Sequence, residues 1–207
     1  MSENVQHLSI TNSHYTVTEV VEAYRQVAGS IDLDPFSCED ANQIVKAKEY
    51  YSLDKGQNGF LEDWYGNVLA NPPGSFVNTS TFVQAKRGAS SMALAFDKAE
   101  SEYLSGRAKQ VLFVAFSLEL ITKRPSIFEY PLCFVNRNGL AQNSHIITGG
   151  GRLKYMNAEM QLQGSPTHGT FFIYMPLRNP ESSHTDIPTL TNFLDVFSQF
   201  GTTGYFG

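Results

Sequence analysis

The chain has 207 residues, of which 42% are hydrophobic and 17% are charged. These values fit one globular domain with a sizeable core and exclude a disordered chain. We expect a cytoplasmic protein without a membrane partner, because no apolar run is long enough to span a bilayer and the N-terminus does not resemble a signal peptide. Cys38 and Cys133 lack metal-site spacing and are predicted to be free thiols.

The net charge of −5 argues against a polyanionic partner, but the charge is unevenly distributed. Residues 1–70 carry a balance of −7, residues 71–178 one of +5, and residues 179–207 one of −3. A positive surplus in the middle of the chain is compatible with nucleic acid approaching one side of the fold. Chance clustering of the charges is the alternative.

The first half of the chain alternates helical and extended patterns. Val20, Val21, Tyr24 and Val27 recur at helical spacing, and Gly29 follows them as a stop signal. Short apolar runs separated by further helical patterns predict an α/β fold with a largely parallel sheet. The predicted elements are a flexible N-terminus over 1–13, an entry turn and then a helix capped by Thr18 within 14–27, a strand over 30–35, a helix over 41–48 and a strand over 67–70.

The second half adds a helix over 82–104 and a strongly apolar strand over 110–116. Late strands separated by a Gly-rich loop predict an antiparallel edge on the mostly parallel sheet. Leucines and phenylalanines at helical spacing near the C-terminus predict a helix that packs either on its own core or in a homodimer. The remaining predicted strands cover 132–136, 151–155 and 170–175, and the predicted domains are 14–178 and a C-terminal extension over 179–207.

The most informative motif is Asn71-Pro72-Pro73-Gly74, directly after an apolar strand. The Asn71 side chain and the Pro72 carbonyl offer two acceptor oxygens, and neither proline has an N–H group to compete for them. Each proline also holds the preceding residue extended. A rigid acceptor pair at the end of a strand suits an exocyclic amine, whose two hydrogens it can bind. A simple Pro-Gly type II turn is the alternative.

Together with segments upstream, this motif resembles the phage-type DNA N6-adenine methyltransferases, a Dam-like family. The resemblance is specific over roughly residues 14–75 and looser to about 176. It implies the Rossmann-like fold of S-adenosylmethionine-dependent methyltransferases and a reaction that needs no metal. The matching segments are 14–16, 31–38, 41–47, 50–51, 61, 64–66 and 71–74, with a weaker match over 151–155.

The resemblance implies S-adenosylmethionine as the cofactor, whose amino group and sulfonium are both positive. Asp34, with Asp32 on the same face of the strand, offers carboxylates that suit this charge. A helix-capping acid is the alternative for both residues. The remaining cofactor candidates are Tyr15, Thr16, Pro35, Ser37, Asn42 and Asp63, with Asp54 as a further acid. Ordinary capping, helical or surface roles are the alternatives for these residues.

The family mechanism holds the target amine at Asn71 and Pro72 while the base stands outside the duplex. An aromatic residue usually follows the two prolines, but this chain has Gly74, and Phe76 is a candidate for the missing ring. Basic residues are candidates for phosphate contacts, with ordinary surface charge as the alternative. These DNA-binding candidates are Lys86, Arg87, Lys123, Arg124, Arg137, Arg152 and Lys154.

The predicted activity is methyl transfer from S-adenosylmethionine to the N6 amine of adenine in DNA. Cytosine N4 is an alternative target, since the same acceptor pair serves it. A catalytically silent protein that binds DNA or a partner, for example to blunt host restriction, is a second alternative. Transfer of a group other than methyl to adenine is a third.

Overall fold

The computed structural model describes residues 14–74, 90–163, 168–178 and 185–207. Within these ranges strands and helices alternate, as the apolar periodicity predicts. The strands are β1 (Leu33–Asp34), β2 (Glu49–Tyr50), β3 (Gly66–Ala70), β4 (Ala108–Ala115), β5 (Leu132–Val135), β6 (Phe171–Met175) and β7 (Gly201–Gly204). The helices are α1 (Thr18–Ala28), α2 (Glu39–Val45), α3 (Ser91–Leu104), α4 (Glu119–Lys123), α5 (Leu140–Asn143) and α6 (Ile187–Phe197).

The strands form one sheet in the order β2-β1-β3-β4-β6-β5-β7. β1 pairs in parallel with β2 and β3, and β3 pairs in parallel with β4. β6 is antiparallel to both β4 and β5, and β7 is antiparallel to β5. β1 to β5 therefore point in one direction, while β6 and β7 point back. This confirms the predicted α/β class with a mostly parallel sheet and an antiparallel edge.

The strand order reverses between β1 and β3. The chain leaves β1 to form β2 on one side and later adds β3 on the other side. Leu33 is paired with Val68 in this parallel pair, so both strands end at the same edge of the sheet. Ligands of open α/β sheets bind outside the carboxyl ends of the strands at such a reversal.

Two hydrophobic clusters cover the two faces of the sheet. Alternate side chains of β4 face them, with Leu112 and Val114 in the first cluster and Val111 and Phe113 in the second. Apolar side chains of α1 and α6 complete the first cluster, and those of α3 contribute to the second. The central strands are thus covered by apolar side chains on both faces.

A buried polar network joins α1 to the middle of the sheet. Gln110 accepts a hydrogen bond from the Tyr174 hydroxyl at 2.5 Å and donates one to Asn67 Oδ1 at 3.0 Å. Asn67 Nδ2 in turn donates to the Ala28 carbonyl at 3.0 Å. Because each buried polar group has a partner, the network holds β3, β4 and β6 in one register.

Three local predictions differ from the structure. Val17 is the N-cap of α1 and no side chain caps this helix, so the predicted cap by Thr18 is wrong. The predicted strand over 151–155 is not formed, and Leu153 makes only an isolated bridge to Ile147. β7 was not among the predicted strands, because Gly-Thr-Thr-Gly has no apolar alternation. Gly201 suits this strand, since a Cβ there would lie 2.0 Å from the Phe134 carbonyl oxygen.

The C-terminal residues are part of the same core. Phe193, Phe197 and Phe200 are fully buried in the first cluster, and the Phe193 and Phe197 rings stack at 4.5 Å. The apolar face of α6 therefore packs on its own chain, as one of the two predictions has it, and β7 continues the sheet. Dimerisation stays a prediction, and the apolar face of α6 is not available for it because this face is buried within the chain. No helix in the described ranges is long and apolar enough to cross a membrane.

Gly59 supports the loop after β1 by close packing, which predicts an effect of substitution. A Cβ at Gly59 would lie 1.9 Å from the Pro35 carbonyl oxygen, whereas one at Gly149 would meet nothing within 4 Å. We expect Gly59→Ala to destabilise the fold by about 1–3 kcal/mol through overpacking. Gly149→Ala is the matched control and leaves stability nearly unchanged. Urea unfolding measures both, and equal stabilities of the two variants would contradict this packing.

Candidate functional site

Two loops meet at the carboxyl edge of the sheet. Asp34 is the last residue of β1, and Asn71 directly follows β3, its parallel neighbour. Adjacent strands lie about 4.8 Å apart, so the loops that follow them leave the sheet side by side, at the reversal where open α/β sheets have their ligand crevice. Leu33 and Ala70 both belong to the second cluster. Strand alternation therefore directs the next residue of each strand, Asp34 and Asn71, toward the opposite face.

The segment 14–16 spans both loops. The His14 carbonyl accepts a hydrogen bond from Asn71 Nδ2 at 2.8 Å. The Tyr15 hydroxyl accepts one from Cys38 Sγ at 3.4 Å, and Cys38 caps α2 at the end of the loop after β1. Thr16, the next residue, is buried. Two consecutive residues that the sequence places far from either loop, His14 and Tyr15, thus join the two.

The contact with His14 fixes the orientation of the Asn71 amide. A carbonyl oxygen only accepts hydrogen bonds, so the Asn71 atom that faces it is the nitrogen. The side-chain oxygen Oδ1 is then directed away as an acceptor. Asn71 is partly exposed and Pro72 is buried. The Pro73 carbonyl accepts a hydrogen bond from Ser91 Oγ at 3.0 Å, which attaches this loop to the start of α3.

Asp34 is a buried acid at the end of a strand. Asp34 is 4% exposed, and its Oδ1 accepts a hydrogen bond from the Phe36 backbone N–H at 3.2 Å. Burial raises the pKa of Asp34 to about 6, against the opposing effects of the Ser37 hydroxyl and the Phe36 N–H. No ion pair within the described ranges involves this carboxylate. Such a group fits a cationic ligand.

Aromatic packing holds the loop after β1. The Phe36 ring lies 4.8 Å from that of Phe60 and 5.5 Å from that of Trp64. The Trp64 indole donates a hydrogen bond to the Gly59 carbonyl at 2.7 Å, and Gly59 itself lies against the Pro35 carbonyl. The backbone beside Asp34 is therefore held in place without any ligand.

Two predicted cofactor residues make contacts within the chain. Asp32 forms an ion pair with Lys48 at 2.7 Å and accepts a hydrogen bond from the Asn67 backbone at 2.8 Å. Since Asp32 precedes β1 and Asn67 lies near the start of β3, the Asp32 carboxylate lies toward the amino end of these strands, away from the carboxyl edge. The Asn42 side chain accepts a hydrogen bond from the Ala47 N–H at 2.9 Å and closes the turn after α2. Their roles in cofactor binding stay predictions.

Three other predicted cofactor residues, Ser37, Asp54 and Asp63, lie in different parts of the fold. The Ser37 N–H donates a hydrogen bond to the Tyr51 carbonyl at 3.1 Å, which links the loops after β1 and β2. The Asp63 carboxylate is 79% exposed and lies 3.8 Å from the Arg107 guanidinium, at the amino edge where β4 begins. Asp54 is exposed as well. Asp63 thus faces away from the edge that carries Asp34 and Asn71.

Several predicted DNA-binding residues are paired within the chain. Arg124 forms a two-pronged ion pair with Asp97, and Lys123 pairs with Glu119 at 2.9 Å. Lys154 donates a hydrogen bond to the His145 carbonyl at 2.8 Å. The two ion pairs offset the charges of Arg124 and Lys123 and so reduce the positive charge available to phosphates, whereas the carbonyl contact of Lys154 leaves its charge unchanged. Arg137 and Arg152 are exposed, and Lys86, Arg87 and Phe76 lie outside the described residues.

Sequence reasoning did not single out Phe116, which lies beside the Asn-Pro-Pro-Gly loop. A Cβ at Gly74 would lie 3.4 Å and 3.5 Å from two atoms of the Phe116 ring. Phe116 follows β4 and is partly buried against the second cluster. Its place at the carboxyl end of an apolar strand was the available signal.

No family model matches this chain and no curated protein matches it. Membership of a methyltransferase family therefore stays a prediction from the residues.

The raised pKa of Asp34 predicts a pH-dependent stability. The folded value of about 6 lies above the ordinary 3.8, so Asp34 contributes stability fully below pH 3.8 and loses it as the pH rises through about 6. Asp34→Asn keeps the acceptor for Phe36 but has no charge to bury. We expect the variant to gain stability relative to the wild type between pH 4 and pH 7.5, by up to about 3 kcal/mol. Urea unfolding at both pH values measures this gain, and a pH-independent difference would contradict it.

Proposed function

We propose that this chain transfers a methyl group from S-adenosylmethionine to the N6 amine of adenine in DNA. The observation that carries the proposal is the junction at the carboxyl edge. There the segment 14–16 joins the loop of the buried Asp34 to the loop of the oriented Asn71 amide. One loop fits a cation and the other fits an amine, and they border the same crevice.

The donor side of the proposal depends on Asp34. S-adenosylmethionine, when bound, supplies an electrophilic methyl group on a positively charged sulfur, together with a cationic amino group. Asp34 has no cationic partner among the described residues and lies at the strand reversal where α/β sheets bind ligands. A bound cation would hold its carboxylate ionised and offset the cost of its burial.

The acceptor side depends on Asn71 and Pro72. Asn71 Oδ1 and the Pro72 carbonyl would each accept one hydrogen of the N6 amine. This pairing would draw the nitrogen toward a pyramidal geometry and direct its lone pair at the methyl carbon. Because prolines and the His14 contact hold the acceptors in place before substrate arrives, little reorganisation is needed.

The reaction balances without a further reagent. With Asp34 holding the donor and with Asn71 and Pro72 holding the amine, the N6 lone pair would bond to the methyl carbon as the carbon–sulfur bond breaks, and the bonding pair would stay on sulfur in a neutral thioether. The methylated nitrogen then loses one of its two protons to water. Asn71 and Pro72 accept hydrogen bonds throughout and need not take up the proton.

The test is incubation of the chain with isotopically labelled S-adenosylmethionine and unmodified bacterial or phage DNA. Digestion to nucleosides then identifies the labelled product. Label in N6-methyl-2′-deoxyadenosine supports the proposal. Label in N4-methyl-2′-deoxycytidine would favour the alternative target, which the same pair of acceptors fits.

Asn71→Ala removes one acceptor together with the hydrogen bond to the His14 carbonyl, and it leaves Asp34 unchanged. We expect methyl transfer to fall at least about 100-fold, because an oriented polar group aimed at the reacting atom is lost. Binding of S-adenosylmethionine, measured by calorimetry, is expected to persist. Asn138→Ala is the matched control, since Asn138 is an exposed asparagine beside Thr202 of β7. Undiminished transfer by Asn71→Ala would refute the assigned role.

The affinity for S-adenosylmethionine is expected to depend on pH through Asp34. Only the ionised carboxylate attracts the cation, so binding weakens up to about tenfold for each pH unit below the pKa of about 6. Asp34→Asn is expected to bind more weakly at neutral pH and to lose this pH dependence. Calorimetric titrations between pH 5 and pH 8 measure both effects. An unchanged profile in the variant would remove Asp34 from the donor site.

A catalytically silent binding protein is the second candidate. Gly74 in place of the usual aromatic residue favours it, and so do the ion pairs of Arg124 and Lys123. Such a protein would bind S-adenosylmethionine or DNA without turnover. Donor binding in the calorimeter with no label transferred to any DNA would favour this candidate over the enzyme.

A further inference from the structure

Gly74 has no side chain, and the Phe116 ring lies next to the place that a side chain at this position would occupy. The residue after the two prolines carries no side chain, yet the position its Cβ would take lies 3.4 Å from Phe116 Cε2 and 3.5 Å from Cζ. These are ordinary van der Waals distances, so the Phe116 ring lies against the point from which a side chain at 74 would grow. Gly74 itself is exposed, so this point opens to the surface.

The fold explains why Phe116 reaches this loop. β3 and β4 are parallel neighbours, with Ala70 paired to Phe113. The residues that follow the two strands, Pro73 and Gly74 on one side and Phe116 on the other, therefore leave the same edge of the sheet side by side. Phe116 is partly buried against the second cluster, which supports part of its ring and leaves the rest accessible.

We infer that Phe116 supplies the aromatic surface on which the target base stacks, in place of a ring at position 74. This inference rests on the proposed function, since it concerns the base held by Asn71 and Pro72. A planar nucleobase beside these acceptors needs an apolar face to offset the loss of stacking in the duplex. Phe116 is an aromatic side chain whose ring lies 3.4 Å from the point that a Cβ at Gly74 would occupy.

Binding of single-stranded oligonucleotides tests the stacking separately from methyl transfer. One oligonucleotide contains adenines, and a second of equal length has abasic sites at those positions. We expect the wild-type chain to bind the adenine form roughly tenfold more tightly in fluorescence anisotropy. Phe116→Leu keeps the apolar volume but removes the ring, and is expected to abolish this preference while binding the abasic form unchanged. Phe116→Tyr keeps the ring and is expected to keep the preference.

Two further variants sharpen the test. Phe116→Ala combined with Gly74→Tyr moves the ring to position 74 and is expected to restore the preference that Phe116→Ala alone loses. Phe128→Leu is the control for loss of a ring elsewhere, since Phe128 is 39% exposed and contacts Phe206. An adenine preference that survives Phe116→Leu, or that Phe76→Leu removes instead, would overturn the inference. Equal wild-type binding of both oligonucleotides would overturn it too.

The outcomes also separate this inference from the proposed function. An adenine preference that depends on Phe116, found together with no transfer of label to DNA, would leave the stacking role standing and reject the enzyme. Transfer of label to adenine with full activity and unchanged KM in Phe116→Leu would support the enzyme and reject the stacking role.

Discussion

The hydrogen bond from Asn71 Nδ2 to the His14 carbonyl is the contact on which the site depends. It decides which end of the amide faces the crevice, and it attaches the N-terminal part of the described chain to the central strands. Without it the amide is free to turn, and the loop after β3 loses its link to the loop after β1. A backbone carbonyl suits this task well, because it has no proton and cannot exchange roles with the amide.

Asp34 illustrates the conflict between stability and binding. A carboxylate without an ion-pair partner among the described residues, on a residue that is 4% exposed, weakens the fold near neutral pH, and an uncharged side chain there would be more stable. Sites that bind ligands commonly retain such strain, since the groups they use are not satisfied by the protein alone. The surrounding aromatic residues Phe36, Phe60 and Trp64 hold the loop in spite of this cost.

Periodic segments were predictable because burial leaves a direct mark on the sequence. The apolar run of β4 and the spaced phenylalanines of α6 are examples. β7 was not predictable, since its pairing depends on Gly201, whose missing side chain lets the Phe134 backbone approach closely. The motif around Asn71 and the acid at Asp34 were found from their residue types. The partners of Asp32 and Asn42 were not, because Lys48 and the Ala47 backbone reach them only through tertiary folding and a local turn.

The proline after Asn71 also bears on how the protein ages. Asparagine deamidates when the backbone nitrogen of the next residue attacks the side-chain amide and closes a succinimide ring. The nitrogen of Pro72 has no hydrogen to lose, so this route is blocked at Asn71. Asn-Gly pairs lack a side chain on the residue whose nitrogen attacks, and this chain has two, Asn58-Gly59 and Asn138-Gly139, of which Asn58 is buried and Asn138 is exposed. Deamidation on storage is therefore expected at Asn138 before the amide of Asn71.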